Sequence, residues 1–130
     1  MISSSQRCQF FVAAPVFCVA LGGGGCGLVP HGCSTEARTA VVVEVVDATS
    51  GGPLCNTSVV AREGAFSSVL QEFPASFSPP CVHMGPYERA GTYTVDVSFG
   101  VRSKSVSGLR VERGDCDHVV TQHLTVALDP

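Results

Sequence analysis

Short runs of β-branched and aromatic residues, separated by turn residues, make up most of the chain after Arg38. In the clearest run, residues 92–99, apolar residues alternate with polar ones. Successive side chains of a strand point to opposite faces, so this run predicts a strand with one buried face and one wet face. The predicted buried set is Tyr93, Val95, Val97 and Phe99.

Similar runs recur at spacings too short for helices to lie between them. The further predicted strands are residues 39–46, 58–63, 66–73, 104–112 (broken near Gly108) and 119–128. In the last of them, one face is predicted to carry Val120, Leu124, Val126 and Leu128. The chain has 14 Gly, 8 Pro and only 15% charged residues, a composition typical of strands and turns. We therefore predict an all-β fold, a single antiparallel β-sandwich of about six or seven strands with Greek-key connections.

The N-terminal region predicts export. Residues 8–30 contain no charged residue, and residues 10–21 form an apolar segment that ends at four glycines, residues 22–25. About a dozen apolar residues suit a signal peptide but fall short of the roughly twenty that span a bilayer. We predict a signal peptide at residues 1–25, a tether at 26–38 and the domain at 39–130. The alternative is an uncleaved N-terminal anchor.

The cleavage site has two interpretations. Gly24 and Gly25 before Cys26 resemble a lipoprotein signal, whereas small residues at Cys18 and Ala20 would suit ordinary cleavage. Cys8 and Cys18 would leave with the leader, so lipidation of Cys26 leaves four cysteines for two bridges, whereas without it five remain and one is unpaired. Cysteine parity therefore favours lipidation. We predict that Cys26 carries a lipid that holds the protein on a membrane. The predicted location is the cell envelope, as an outer-membrane lipoprotein or in the periplasm, with secretion as the alternative.

The four remaining cysteines could bind zinc or form two disulfides. Zinc sites usually contain close Cys-x-x-Cys pairs, and these cysteines are widely spaced, so we predict two disulfides, no metal and no cofactor. Four cysteines allow three pairings. We favour Cys33–Cys116, because one precedes the first predicted strand and the other the last, and Cys55–Cys81, which would tie a strand start to the Pro-rich loop.

Several function classes are disfavoured. The net charge of −3 argues against nucleic acid as a partner, because phosphate binding requires clustered Lys and Arg. His118 and His123 lie beside Asp115 and Asp117, but on one strand their side chains would point to opposite faces, which argues against a metal site. If the strand begins only at Val119, that argument weakens. The sequence has no Gly-x-Ser-x-Gly elbow, and we identify no catalytic residue.

One segment is a candidate contact surface. Residues 81–89 are predicted to form a loop held by Cys81 and Pro86, and such pre-ordered loops bind at a lower entropic cost. Its candidate contact residues are Val82, His83, Met84 and Tyr87. The alternative is a loop that covers one end of the core with Tyr87 turned inward.

Four short motifs resemble the carboxypeptidase regulatory-like domain. They are residues 45–47 (VVD), 50–54 (SGGPL), 91–95 (GTYTV) and 109–112 (LRVE). The resemblance covers about residues 39–128 and implies a transthyretin-like (prealbumin or immunoglobulin-like) sandwich of a small exported bacterial protein. It implies an accessory role without catalysis, as a structural or binding module whose partner at the envelope is a protein or a glycan. The alternatives are a carbohydrate-binding module, which the absence of Trp disfavours, and a small secreted hydrolase.

Overall fold

A computed structural model describes residues 32–130, and the chain divides into two units, Met1–Thr35 and Glu36–Pro130. Only residues 32–35 of the first unit are described, and they form a turn and irregular chain. The predicted signal peptide at residues 1–25 and the predicted lipidation site, Cys26, lie outside the described residues. The fold presented below is that of the second unit.

The second unit is built almost entirely of strands, as the alternating pattern predicts. We number its eight strands in chain order. They are β1 Thr39–Asp47, β2 Ser58–Glu63, β3 Phe66–Val69, β4 Gln71–Glu72, β5 His83–Tyr87, β6 Gly91–Phe99, β7 Arg102–Val111 and β8 Gln122–Leu128. One short 3₁₀ turn, Asp115–Asp117, precedes β8, and residues 32–130 contain no α-helix. The all-β prediction is therefore confirmed.

The strands form two four-stranded sheets, in the orders β4-β5-β1-β8 and β3-β2-β6-β7. All pairs between named strands are antiparallel except one: β1 and β8 run parallel, with Val41 opposite Gln122 and Asp47 opposite Leu128. The prediction of a wholly antiparallel sandwich is wrong at this pair. Side-chain alternation is the same for both strand directions, so the pattern that locates a strand does not give its orientation.

One core lies between the two sheets, which identifies the unit as a sandwich. Its buried cluster combines residues of β1 and β8 from one sheet with residues of β2, β6 and β7 from the other. The main members are Val41, Val43, Val45, Val59, Tyr93, Val95, Val97, Val111, Val126 and Leu128. The predicted buried face of residues 92–99 is confirmed, with Phe99 partly buried at its end.

The predicted last strand is wrong at its start. Val120 is 48% exposed and lies before β8, whereas Val119 is buried. Residues 119 and 120 pair with the end of β7 instead: Val119 forms a bridge with Arg113, and the Val120 amide donates to the Glu112 carbonyl (2.7 Å). Because of this pairing, Val119 points into the core and Val120 points to solvent, the opposite of what a continuous strand from residue 119 into β8 would give.

Residues 66–72 serve as an edge strand for both sheets. β3 pairs with β2, and β4 pairs with β5 in the other sheet. The switch occurs at Leu70, whose side chain is buried and whose amide donates to the Val59 carbonyl (2.9 Å). The predicted strand 66–73 is therefore present, but divided between the two sheets.

The predicted break near Gly108 is a β-bulge. Along β6 and β7, Tyr93 lies opposite Leu109 and Val95 lies opposite Val106, so β7 contains one extra residue there. Gly108 has φ +76, a conformation that a residue with a Cβ adopts only with strain. The glycine thus lets β7 continue as one strand of ten residues rather than two.

Two basic side chains of β7 cover β8, the edge strand at the other end of the sheet that begins with β4. Arg102 of β7 donates to the Leu128 carbonyl (2.8 Å) and the Asp129 carbonyl (2.9 Å), and Lys104 donates to the Ala127 carbonyl (3.3 Å). Unpaired edge carbonyls invite pairing with another chain, and charged edge residues counter it. β7 therefore shields the end of β8 although the two strands belong to different sheets.

Tyr93 supplies a test of the packing. Its ring is fully buried and its hydroxyl donates to the Arg89 carbonyl (2.7 Å), four residues earlier. Tyr93→Phe should lower the free energy of unfolding by about 1–2 kcal/mol, because it leaves that carbonyl short of its donor. Urea denaturation measures the loss. Tyr87→Phe is the matched control, since Tyr87 is 50% exposed, and it should change stability by less than about 0.5 kcal/mol. Equal effects of the two substitutions would contradict this role for the buried hydroxyl.

Candidate functional site

The predicted contact segment is a strand rather than a loop. β5 (His83–Tyr87) pairs with β1 on one side and with β4 on the other. Val82 and His83 are buried, and Met84 is partly buried, so only Tyr87 of the four predicted contact residues is largely exposed. The loop interpretation is therefore wrong, because Gly85 and Pro86 fit a strand whose β4 neighbour ends beside Met84. Whether Tyr87 contacts a partner stays a prediction.

The structure contains the predicted Cys55–Cys81 disulfide, with the two Cα atoms 5.3 Å apart. It links the segment before β2 to the segment before β5, as the sequence suggested. Cys33 and Cys116 are each disulfide-bonded as well, as the prediction of two disulfides requires. Disulfides form mainly in oxidising compartments, so this pattern is compatible with export.

A carboxylate that the sequence analysis did not single out lies beside the Cys55–Cys81 disulfide. Glu72 accepts hydrogen bonds from the backbone amides of Asn56 (2.9 Å) and Thr57 (3.0 Å), the two residues after Cys55. A carboxylate oxygen of Glu72 and the two sulfur atoms all lie within 4.8 Å of one another. Glu72 therefore orders the backbone that presents Cys55.

His83 completes this group of side chains. It lies opposite Glu72 in the register of β4 and β5, and its side chain is 1% exposed. Its Nε2 lies 3.2 Å from Glu72 Oε1, 3.2 Å from Thr57 Oγ1 and 3.3 Å from the Thr57 carbonyl. These distances are at the long end of the hydrogen-bond range. Its Nδ1 has no hydrogen-bond partner among the described residues.

A shallow cleft of about 500 Å³ lies at one end of the sheet that contains β6 and β7. Its lining alternates charged side chains with small residues. The lining residues are Glu63, Ala90, Gly91, Thr92, Arg110, Val111, Glu112 and Arg113. Arg110 and Glu112 form an exposed ion pair across it (2.6 Å). The cleft is a polar, open surface rather than an apolar pocket.

Glu63 forms one wall of the cleft and is fully engaged. Its carboxylate binds the Arg89 guanidinium (2.8 Å) and the Thr92 amide (2.8 Å). These hydrogen bonds, that from Arg89 first, lower the pKa of Glu63. A Cβ at Gly91 would lie 2.5 Å from Glu63 Oε1, so a larger residue there would displace the Glu63 carboxylate. Arg89 in turn lies over the Phe66 ring, 3.7 Å from its centroid.

Glu88 joins the first strand to the connection between β7 and β8. Its carboxylate accepts hydrogen bonds from the Arg38 amide (2.8 Å) and the Val119 amide (3.3 Å), and it contacts His118 Nδ1 (2.5 Å). The hydrogen bond from Arg38 and then that from His118 lower the pKa of Glu88. Arg113 donates to the Glu88 carbonyl (2.8 Å). These contacts fix the turn region around residue 116.

The histidines near the C-terminus are not brought together. His118 contacts Glu88, whereas His123 is an exposed residue of β8, and the strand begins after His118. Asp115 and Asp117 are exposed in the 3₁₀ turn. Within residues 32–130, one set of three or more His, Cys, Asp or Glu residues has its ligand atoms clustered, and it is Cys55, Glu72 and Cys81.

Comparison with known proteins identifies no relative: no protein-family model matches the chain, and no curated protein matches it. Among residues 32–130 there is also no helix of the length and apolarity needed to cross a membrane. The resemblance to the carboxypeptidase regulatory-like domain therefore remains an expectation from the sequence.

The lowered pKa of Glu88 predicts a pH dependence. A carboxylate whose pKa is lower in the folded state stabilises the fold fully above its ordinary pKa of 4.5, and this contribution is lost as the pH falls below that value. Glu88→Gln should therefore lower stability near pH 7 and should flatten the decline between about pH 5 and pH 2. Urea midpoints measured across that range give the slope. Glu44→Gln is the control, since the Glu44 side chain makes no hydrogen bond or ion pair with the described residues. A Glu88→Gln curve parallel to that of the wild type would contradict the linkage.

Proposed function

We propose that this chain is an exported, lipid-anchored β-sandwich of the carboxypeptidase regulatory-like type that acts as a structural or binding module at the cell envelope. The observation that carries the proposal is the Cys55–Cys81 disulfide within a compact two-sheet body. Disulfides are rare in the cytosol, where thiols are kept reduced. The predicted signal peptide, residues 1–25, supplies the matching export signal, and no residue from 8 to 30 is charged.

A non-catalytic role agrees with how the carboxylates of the cleft are used. Glu63 is held by Arg89 and Thr92, and Glu112 is paired with Arg110. A general base needs a free lone pair within reach of the substrate, and its pKa should lie near the working pH. The pKa of Glu63 is lowered, which moves it further from neutral pH. Both carboxylates thus serve as parts of ion pairs.

The cleft and the neighbouring surface suit a macromolecular partner. Arg110 and Glu112 are 72% and 61% exposed as side chains, so they can exchange their mutual ion pair for contacts with a partner. Arg residues are enriched at protein interfaces because the guanidinium forms several hydrogen bonds at once. We propose that this charged cleft, rather than β5, carries the binding function.

The anchor is tested with Cys26→Ser. The wild-type protein should fractionate with membranes and should gain the mass of acyl chains, whereas Cys26→Ser should lose both, because the lipid is attached at that sulfur. Intact mass after detergent extraction measures the difference. Cys18→Ser is the control and should behave like the wild type. An unmodified wild-type chain that retains its leader would contradict both lipidation and export.

Binding is tested with Arg110→Ala. Cross-linking in intact cells and glycan arrays should distinguish a protein partner from a glycan, and Arg110→Ala should reduce retention of the partner at least about tenfold if its guanidinium is an anchor. Lys104→Ala, a surface cation at another position of β7, is the matched control. Equal retention by the wild type and Arg110→Ala would exclude the cleft as the binding surface.

A further inference from the structure

The side chains around the Cys55–Cys81 disulfide point to a second chemistry that is independent of the lipid anchor. We propose that, when this disulfide is reduced, Cys55, Cys81 and Glu72 bind one zinc-class divalent metal ion, and that His83 orients Glu72 from outside the ligand set. The site would exist only in the dithiol state, because a disulfide sulfur carries no thiolate charge. The same residues would then form a covalent staple in one redox state and a metal site in the other.

The spacing of the donor atoms fits a tetrahedral zinc site. Zn–S bonds of about 2.3 Å and Zn–O bonds of about 2.0 Å place neighbouring donors roughly 3.5–3.8 Å apart around a tetrahedron. The two sulfur atoms and a Glu72 oxygen already lie within 4.8 Å of one another. The Cα atoms of the two cysteines are 5.3 Å apart. After reduction, metal binding therefore requires only that the two cysteine side chains rotate so that their sulfur atoms move apart.

The donor types favour zinc over calcium or magnesium. Zinc accepts two thiolates together with a carboxylate, whereas calcium and magnesium prefer sites made of oxygen ligands alone. Two thiolates and one carboxylate together carry three negative charges, one more than the two positive charges of the metal ion. Because two of the donors are thiolates, other ions that bind thiolates should compete with zinc most strongly for this site.

Hydrogen bonds hold the Glu72 carboxylate in place and still leave it a lone pair for a metal ion. An ionised carboxylate has about four lone-pair sites. Three are directed at Asn56 N, Thr57 N and His83 Nε2, so one is left for a metal. The two amide donors would remain as outer contacts that orient the ligand, an arrangement that raises metal affinity.

His83 is placed to orient Glu72. Its Nε2 lies 3.2 Å from Glu72 Oε1, 3.2 Å from Thr57 Oγ1 and 3.3 Å from the Thr57 carbonyl. The carboxylate and the carbonyl only accept hydrogen bonds, so the tautomer with its proton on Nε2 fits this position. A donor that holds the ligating carboxylate is an outer contact of the kind that raises metal affinity.

The redox step requires a dithiol reductant, for example a protein dithiol of the thioredoxin type. Its thiolate attacks one sulfur of the Cys55–Cys81 bond, and its second thiol resolves the mixed disulfide. Two electrons and two protons pass to Cys55 and Cys81, and the reductant becomes a disulfide. Zinc then displaces one proton from each thiol as it binds.

The experiment uses the full chain, reduced with a phosphine and titrated with Co²⁺ and then Zn²⁺ without oxygen. The reduced protein should bind one Co²⁺ with the visible absorption of a tetrahedral thiolate site, and Zn²⁺ should displace it. The oxidised protein and the reduced Cys55→Ser/Cys81→Ser variant should bind at least about a hundredfold more weakly. Reduced wild type that binds no tighter than this double variant would overturn the proposal.

Further variants separate this site from the other cysteines and assign its ligands. Cys33→Ser/Cys116→Ser should bind Co²⁺ like the wild type, and loss of binding there would instead place the site at the other sulfurs. Glu72→Gln and His83→Gln should each weaken binding by about tenfold or more and alter the absorption band. Glu44→Gln is the matched control and should leave both unchanged. Unaltered binding by Glu72→Gln would overturn its role as a ligand, and the same result for His83→Gln would overturn its role in orienting Glu72. Circular dichroism of each reduced variant confirms that it is folded.

Discussion

The inner face of β1 holds the two sheets together. β1 lies between β5 and β8 in its own sheet, and its residues Val41, Val43 and Val45 are buried in the core that it shares with β2 and β6. Burial of each such valine contributes about 1.5–3 kcal/mol from apolar area alone, a large share of the stability of a domain this size. The parallel partner of β1 is β8, about eighty residues later in the chain, so the fold is complete only when the last strand has docked.

Three carboxylates fix the loops around this core, and each binds a backbone amide as well as a basic side chain. Asp47 binds the amides of Thr49 and Ser50 and the guanidinium of Arg102. Glu63 and Glu88 follow the same scheme with Arg89 and His118. The pKa of each carboxyl is lowered, that of Asp47 first by the amide of Ser50. These three carboxylates thus close turns, whereas the exposed Arg110–Glu112 pair is the one that we propose for a partner.

Features that depend on the local alternation of apolar and polar residues could be predicted from the sequence. Features that depend on contacts between residues far apart in the chain could not. β6 and β2 were located almost residue by residue, because each has a regular pattern bounded by turn residues. β5 was missed, since Gly85 and Pro86 usually end a strand. Proline is tolerated there because β4, the neighbour on one side, pairs only with His83 and Met84, so no partner requires an amide at residue 86. The roles of Glu72 and Glu88 depend on partners up to 50 residues away, which no local pattern encodes.

The same constraint that forms the disulfide also orders the metal ligands. Cys55 is followed by two amides that Glu72 holds, and Cys81 lies two residues before His83, which faces Glu72 across the β4–β5 pair. The register of two short strands therefore positions three donor groups, and the histidine that holds one of them, before any bond forms between the sulfurs. Pre-ordering lowers the entropy lost on closing either the disulfide or a metal site. Since the strands are anchored by the buried residues Leu70 and Val82, the geometry should persist when the sulfurs separate. The choice between staple and metal site would then be set by the thiol–disulfide potential of the compartment rather than by refolding.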